Sequence, residues 1–456
     1  MKKFLSLTLA LVMCLTACSA LAETALKLGI YPEDVDTAAV ESHETYIAEF
    51  NKLYPDVTVD RVHYKYATDT FVPMAEAGTV PTVFETWFTE PQKLINGGFV
   101  ADITSALEAR GWLDKMNPSI RTLLTGPDGK VYGVPRDGYA LGLMINVEVF
   151  EDAGLVDENG VPLYPKTWEE LAETAAKIKE ATGSAGLCLL AKDNAGGWHF
   201  SNIAWCFGAT FQNQDANGKW AANLNSPEVV AAMNYVKDLK WKYDVLTSDP
   251  TSEDWGTGFT QLGTGAAAMY IAANDAVSQP TFNNGLPVDK LMMCGIPAGP
   301  GGAYSLFGGT PYMFAANATE DEIKAALDYL EVMGKAPVLT ETAKAGLIED
   351  ARYRKDNGIP VINEFPSWSD DALIEARRAV VAEYSNVDAA MFQPYFDAVA
   401  TEGNLRMEEP QMTQEMYAEL TKVLQAVVTD ENADAQALLD TANTNFQKIL
   451  DEGVNK

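Results

Sequence analysis

Residues 42–59 read SHETYIAEFNKLYPDVTV, a helical pattern that stops and an extended pattern that starts. Tyr46, Ile47, Phe50 and Leu53 recur at helical spacing and so share one face. Ser42 is the expected N-cap, because its hydroxyl can accept from a free backbone N–H of the first turn. Tyr54-Pro55 ends the helix, since the residue before a proline is pushed out of the helical region. Val57 and Val59 then alternate with polar neighbours, as in a half-buried strand.

Outward from this stretch the same succession repeats. Leu26 to Ile30 reads as a strand before it. Thr167-Trp168-Glu169-Glu170 is a capping box, opening a helix that buries Leu171, Ala175 and Ile178 and closes at Gly183. Thr319 and Glu322 repeat the device ahead of Ile323, Ala326, Leu327 and Leu330, with Gly334 at the end. Ser226-Pro227 opens a helix through Val230, Met233 and Val236. Asp128-Gly129 and Asn159-Gly160 mark turns. Strands alternating with helices imply an α/β architecture, with largely parallel sheets expected. No internal repeat or low-complexity tract interrupts the pattern.

Composition narrows the function classes. The chain of 456 residues is 47% hydrophobic and 10% aromatic, which suits two or three folded domains with proper cores. A net charge of -31 argues against nucleic acid, whose phosphate backbone needs a basic face, and against a broad patch for anionic lipid. Cys188, Cys206 and Cys294 are widely spaced; three buried free thiols are expected, with one bridge as the alternative. With three histidines and no CxxC spacing, no metal site and no cofactor are expected.

The N-terminus reads as an export signal. Lys2 and Lys3 precede the apolar run Phe4 to Ala17, too short to span a bilayer but suited to a signal peptide. Two processing sites compete. Leu15-Thr16-Ala17-Cys18 resembles a bacterial lipobox, which would make Cys18 an acylated N-terminus. Ala20-Leu21-Ala22 fits ordinary signal peptidase, which would leave Glu23 first.

Several segments resemble, in chain order, the family 1 extracellular solute-binding proteins. They are Phe50 to Val59, Gly78 to Val83, Asp128 to Pro135, Leu143 to Asn146, Phe150 to Leu155, Pro165 to Leu171, Gly265 to Met269 and Phe307 to Gly309. The matches run from about position 26 to 335. The resemblance implies two α/β lobes joined by a hinge, with a ligand cleft between them, as in periplasmic binding proteins. It places 23–137 and 297–335 in an N-terminal lobe and 138–296 and 336–456 in a C-terminal lobe, after a signal segment 1–22. Crossings are expected near Val134 to Ala140, Cys294 to Pro297 and Met333 to Ala336. It also implies a monomer that delivers a small solute, expected to be a carbohydrate, to an ABC permease. A binding protein must stay near its permease, which favours the Cys18 lipid anchor. The short tether after Cys18 weighs the other way.

The resemblance also nominates cleft residues. Glu85 and Trp87 follow a strand; an indole offers a flat face to a sugar ring, and a carboxylate accepts from paired hydroxyls. Trp198 is the stacking candidate of the second lobe, on a turn ahead of a helix from Ser201 to Phe207, with His199 beside it. Arg136 and Tyr139 lie at the first crossing, where Arg136 and Asp137 could equally pin the hinge. Asn274 and Asp275, Gly309 and Tyr312, and Trp368 complete the set, with Trp255 below them and Trp205 assigned to the core. Two other functions compete: the same fold holding a polyamine, peptide or metal chelate, and a secreted glycoside hydrolase. The hydrolase needs two opposed carboxylates. No motif singles out such a pair, so no enzyme is expected.

Overall fold

The computed structural model describes residues 24–455. The signal segment 1–22, Cys18 and Glu23 lie outside the described residues.

The opening helix runs Thr37–Leu53, starting five residues earlier than the sequence suggested. Asp36 is the cap in place of Ser42, its carboxylate accepting from the Ala39 backbone N–H at 3.1 Å. The end is as expected, with Tyr54 N–H donating to the Phe50 carbonyl. Thr319 and Glu322 form a complete capping box. At Thr167 only half of one forms. Thr167 accepts from Glu170 N–H, but Glu170 turns back to Lys166 N–H instead.

Strands β1 (Thr24–Tyr31), β2 (Val57–His63), β3 (Val83–Glu85) and β4 (Gly133–Pro135) start the first lobe. The chain then crosses at Arg136 to Gly138. Strands β5 (Tyr139–Asn146), β6 (Ala185–Cys188), β7 (Gln212–Gln214), β8 (Trp220–Ala222), β9 (Ala267–Ala273), β10 (Leu291–Cys294) and β11 (Ser305–Gly308) follow. Strand β12 (Pro311–Phe314) returns to the first lobe, and β13 (Leu405–Met407) belongs to the second. The first sheet has the order β2-β1-β3-β12-β4; the second runs β13-β11-β5-β9-β6, with β10 also paired to β5. Strands β7 and β8 form a separate hairpin.

The sheets are mixed, where largely parallel ones were expected. Strand β1 runs parallel to β2 and β3, but β12 is antiparallel to both β3 and β4. Likewise β5 is antiparallel to β9, β10 and β11. The reason is the route of the chain. A strand that arrives through the hinge enters its sheet from the cleft end, so it runs against strands that leave there.

The crossings themselves differ from expectation in two places. Because β11 pairs with β5 and β13, residues 297–308 follow the second sheet, and the middle crossing falls at Gly309-Thr310, not at Cys294 to Pro297. Nor does the chain leave the first lobe at Met333 to Ala336. Trp368 and Leu373 still pack in the first-lobe core, and residues 115–117 bond to 367–369 through Asn117 N–H to Ser367 O and Ser369 N–H to Lys115 O. Ile362 already touches a second-lobe cluster, and at Phe392 and Tyr395 the chain is bonded to that lobe, the Tyr395 hydroxyl donating to Ala140 O.

Trp168, Trp205 and Phe200 anchor the larger second-lobe core. Phe50, Phe84 and Tyr312 do the same in the first lobe. Cys188, Cys206 and Cys294 are buried and unpaired, as expected. No described helix is long and apolar enough to cross a membrane.

Candidate functional site: the interlobe cleft

The carboxyl ends of β1, β3, β6 and β9, and the hinge ends of β4, β5, β11 and β12, all face the gap between the lobes. Two crossings cement its floor. Arg136 donates to Glu85 at 2.8 Å and to Asp137 at 2.6 Å. Asp137 accepts from Thr310 N–H at 2.9 Å, and Arg136 N–H donates to Thr310 O, so the first and second crossings are tied together. Burial works against the Arg136 cation, but Glu85 and Asp137 outweigh it and hold its pKa above the ordinary value. For Glu85 burial wins, and its pKa rises.

Two adjoining cavities open beside this floor. The smaller, about 290 Å³, is walled by Arg136, Asp137, Asp275, Lys335, Glu364, Trp368 and Arg377, among others. The larger, about 440 Å³, is walled by Asn274, Arg354, Phe365, Gln393, Tyr395 and Phe396 with several valines and isoleucines. Arg354, Glu364, Phe365, Pro366, Ile374 and Arg377 line both. Asp275 reaches open space on one side while protein crowds it on the others. Burial first, then the charges of Asp137 and Glu364, raise its pKa to about 7. Burial lowers the Lys335 pKa, and Arg136 adds to this.

A second contact between the lobes closes the far side. Lys93 bridges to Glu415 at 2.7 Å, and Gln414 donates to Thr89 at 3.1 Å. Behind them Glu90 accepts from the Tyr66 hydroxyl at 2.6 Å, and Glu408 accepts from Tyr417 at 2.8 Å. Burial raises the pKa of Glu408 to about 7 against the Tyr417 bond, with Glu90 adding a like charge.

The nominated residues divide clearly. Glu85, Arg136, Asp275 and Trp368 are brought together around the hinge. Trp87 stands at the end of β3, 41% exposed and edge-on to Tyr66 at 5.5 Å. Tyr139 is partly buried at the start of β5. Others serve the scaffold. Asn274 is buried and accepts from Ala140 N–H, holding the end of β9 to β5. Tyr312 is 1% exposed. Gly309 leaves no room for a side chain, since a Cβ there would lie 2.6 Å from Phe88 and 2.7 Å from the Asp137 carbonyl.

His199 and Trp198 need correction. The helix expected to start at Ser201 runs Asp193–Cys206, so both lie inside it. Gly196 and Gly197 do not break it; they let it approach the helix Thr413–Thr429, for a Cβ on Gly197 would sit 2.2 Å from the Tyr417 carbonyl. His199 is fully buried, with Nδ1 accepting from Leu190 N–H and Nε2 bonded to Ile271 O. Burial lowers its pKa to about 4, against the Ile271 bond, so it is neutral and has no nitrogen left for a solute. Trp198 is partly buried against both second-lobe clusters. Trp205 is core, as expected, and Trp255 is a 41% exposed residue packed edge-on against Phe259.

Lys335, Arg354, Glu364, Arg377, Gln393 and Phe396 were missed. They lie at or beyond the end of the ordered motif matches, Arg354, Arg377, Gln393 and Phe396 on helices and Lys335 and Glu364 in loops, and none sits in a distinctive spacing. No described group of histidine, cysteine and acidic side chains has the geometry to hold a metal.

Comparison with known proteins agrees with this architecture. Residues 37–337 match the model of the bacterial extracellular solute-binding proteins. A putative binding protein of Brucella abortus is 28% identical over 54% of this chain. The chain spans about three fifths (61%) of that relative's length. A maltooligosaccharide ABC transporter solute-binding lipoprotein of Streptococcus pneumoniae is 24% identical, covering 76% of each chain. Among solved structures, UgpB of Mycobacterium tuberculosis in complex with glycerophosphocholine superposes with a TM-score of 0.71 at 16% identity, over 95% of this chain and 99% of that one.

Proposed function

The chain belongs to the bacterial extracellular solute-binding proteins, and from that premise we propose that it is the solute-receiving component of an ABC importer for a carbohydrate. The observation that carries this reading is the pair of adjoining cavities at the hinge, walled by residues of both lobes. A solute touching both lobes binds the closed arrangement better than the open one and shifts the population toward it. The closed form is then what a permease recognises. Trp87 supplies a flat apolar face, Trp368 contributes to the wall of the smaller cavity while only 5% exposed, and Glu85, Asp275 and Glu364 supply acceptors for hydroxyl groups. The pneumococcal relative's name supports a saccharide. The protein acts as a monomer, its lobes divided by the crossings at Arg136 to Gly138, at Gly309-Thr310 and between Trp368 and Phe392.

The test is a thermal-shift panel of oligosaccharides, followed by small-angle scattering with any sugar that stabilises the fold. A raised melting temperature with compaction is expected. A panel without any stabilising sugar, or an unchanged scattering profile at saturation, refutes the reading.

The same proposal places the protein at the outer face of the membrane, held by an acylated Cys18. One acyl chain binds membrane only marginally, so a diacylated cysteine is the expected product. Cys18→Ala releases the protein from the membrane fraction. A native N-terminus at Glu23 by mass spectrometry refutes the anchor.

A further inference from the structure

We propose that the solute carries an anionic group, a carboxylate or a phosphate ester, and that Lys335 and Arg377 receive it in the smaller cavity. This deepens the reading above and rests on it.

The chain as a whole is at -31, yet the cavity wall gathers four cations, Arg136, Lys335, Arg354 and Arg377, against Asp137, Asp275 and Glu364. Two of the cations are already used. Arg136 is shared by Glu85 and Asp137 at 2.8 and 2.6 Å. Arg354 is held by Asp350 at 2.9 Å and by Glu364 at 3.1 Å.

The other two are not. Among the described residues Lys335 has no carboxylate within salt-bridge reach, and its hydrogen bonds are backbone ones, Lys335 N–H donating to Leu330 O and Lys335 O accepting from Trp368 Nε1–H, both at 2.9 Å, so its ammonium is left without a partner. Arg377 has one long contact, 3.5 Å to the Glu364 carboxylate that Arg354 already holds, and its buried Nε–H has no partner. Asp275 is the one carboxylate of the wall without an ion pair. Crowded by Asp137 and Glu364, it is only partly ionised near neutral pH; Asp137 and Glu364 favour the Lys335 cation from a distance, but burial outweighs them.

An unpaired cation enclosed by protein is costly, and the cost is relieved when an opposite charge enters with it. Arginine presents a planar fork matched to carboxylate and phosphate, and lysine adds a point charge. A neutral sugar closing this cleft would leave Lys335 and Arg377 as they are. An acidic one completes both.

The experiment titrates the full chain with trigalacturonate, its neutral methyl ester, maltotriose and glucose 6-phosphate, by calorimetry and thermal shift. An acidic probe is expected to bind at least tenfold more tightly than its neutral counterpart. Lys335→Met should remove that preference, weakening the acidic probe at least tenfold more than the neutral sugar. Arg377→Gln is the second variant, expected to weaken the acidic probe more than its neutral counterpart. The two acidic probes separate a uronate from a sugar phosphate. Neutral sugars bound as tightly as acidic ones, with no change in Lys335→Met, overturn this inference and leave the carbohydrate reading standing. Failure of every sugar, neutral or acidic, overturns both.

Discussion

Glu408 offers a direct test of how the cleft is wired. Its carboxyl is half-buried, bonded to Tyr417 and faced by Glu90, and its pKa is raised to about 7. A carboxyl that binds its proton more tightly when folded stabilises the fold at low pH. That contribution is fully present below the ordinary value of about 4.5 and is lost as pH rises through about 7. The difference corresponds to roughly 3 kcal/mol as an upper figure.

Glu408→Gln keeps the acceptor for Tyr417 and removes the titration. Its stability relative to wild type should therefore climb by up to about 3 kcal/mol between roughly pH 4.5 and pH 8. Wild type alone would mislead, because His199 works the other way. Its pKa of about 4 makes folding less favourable as pH falls below the ordinary histidine range. Subtracting the two urea-unfolding series at each pH cancels His199 and leaves Glu408. A difference that is flat with pH, within about 1 kcal/mol, refutes the assignment.

Three further outcomes are expected. Trp87→Ala should weaken the solute by on the order of 2 kcal/mol in calorimetry, with little change in melting temperature because the ring is 41% exposed; unchanged affinity would assign Trp87 to packing on Tyr66. Gly197→Ala forces a methyl group into the Tyr417 backbone and should cost about 1–3 kcal/mol in urea unfolding, and a neutral result would deny the close helix approach. Lys93→Met removes the bridge to Glu415 and should expand the solute-free protein in small-angle scattering, as added salt should in the wild type; an unchanged profile would mean the Gln414–Thr89 contact suffices.

Much of the fold was legible because its signals are local. Thr167, Ser226 and Thr319 cap helices where their spacing says, since a cap needs only the next few residues. Strand direction was not legible. Whether β12 runs with or against β3 depends on the chain returning through the hinge, a long-range fact. The helix at Asp193–Cys206 was misread for a related reason. Gly196 and Gly197 are helix breakers by propensity, and only the neighbouring helix explains why they are needed. In the site, Glu85, Arg136 and Asp275 sit at strand ends whose motifs are ordered along the sequence. Lys335, Glu364 and Arg377 are surface-like charges by sequence, and become cleft residues only through the route of residues 341–391.

The three sealed thiols have a practical side. Cys188, Cys206 and Cys294 are buried, and burial raises their pKa values, to about 11 for Cys206 and about 12 for Cys294. Near neutral pH almost none is present as the reactive thiolate. A maleimide dye would therefore pass over them, and a single cysteine installed at exposed Asp69 would take the label alone among the described residues. Lobe movement could then be read as an optical signal without first stripping the native cysteines from the core.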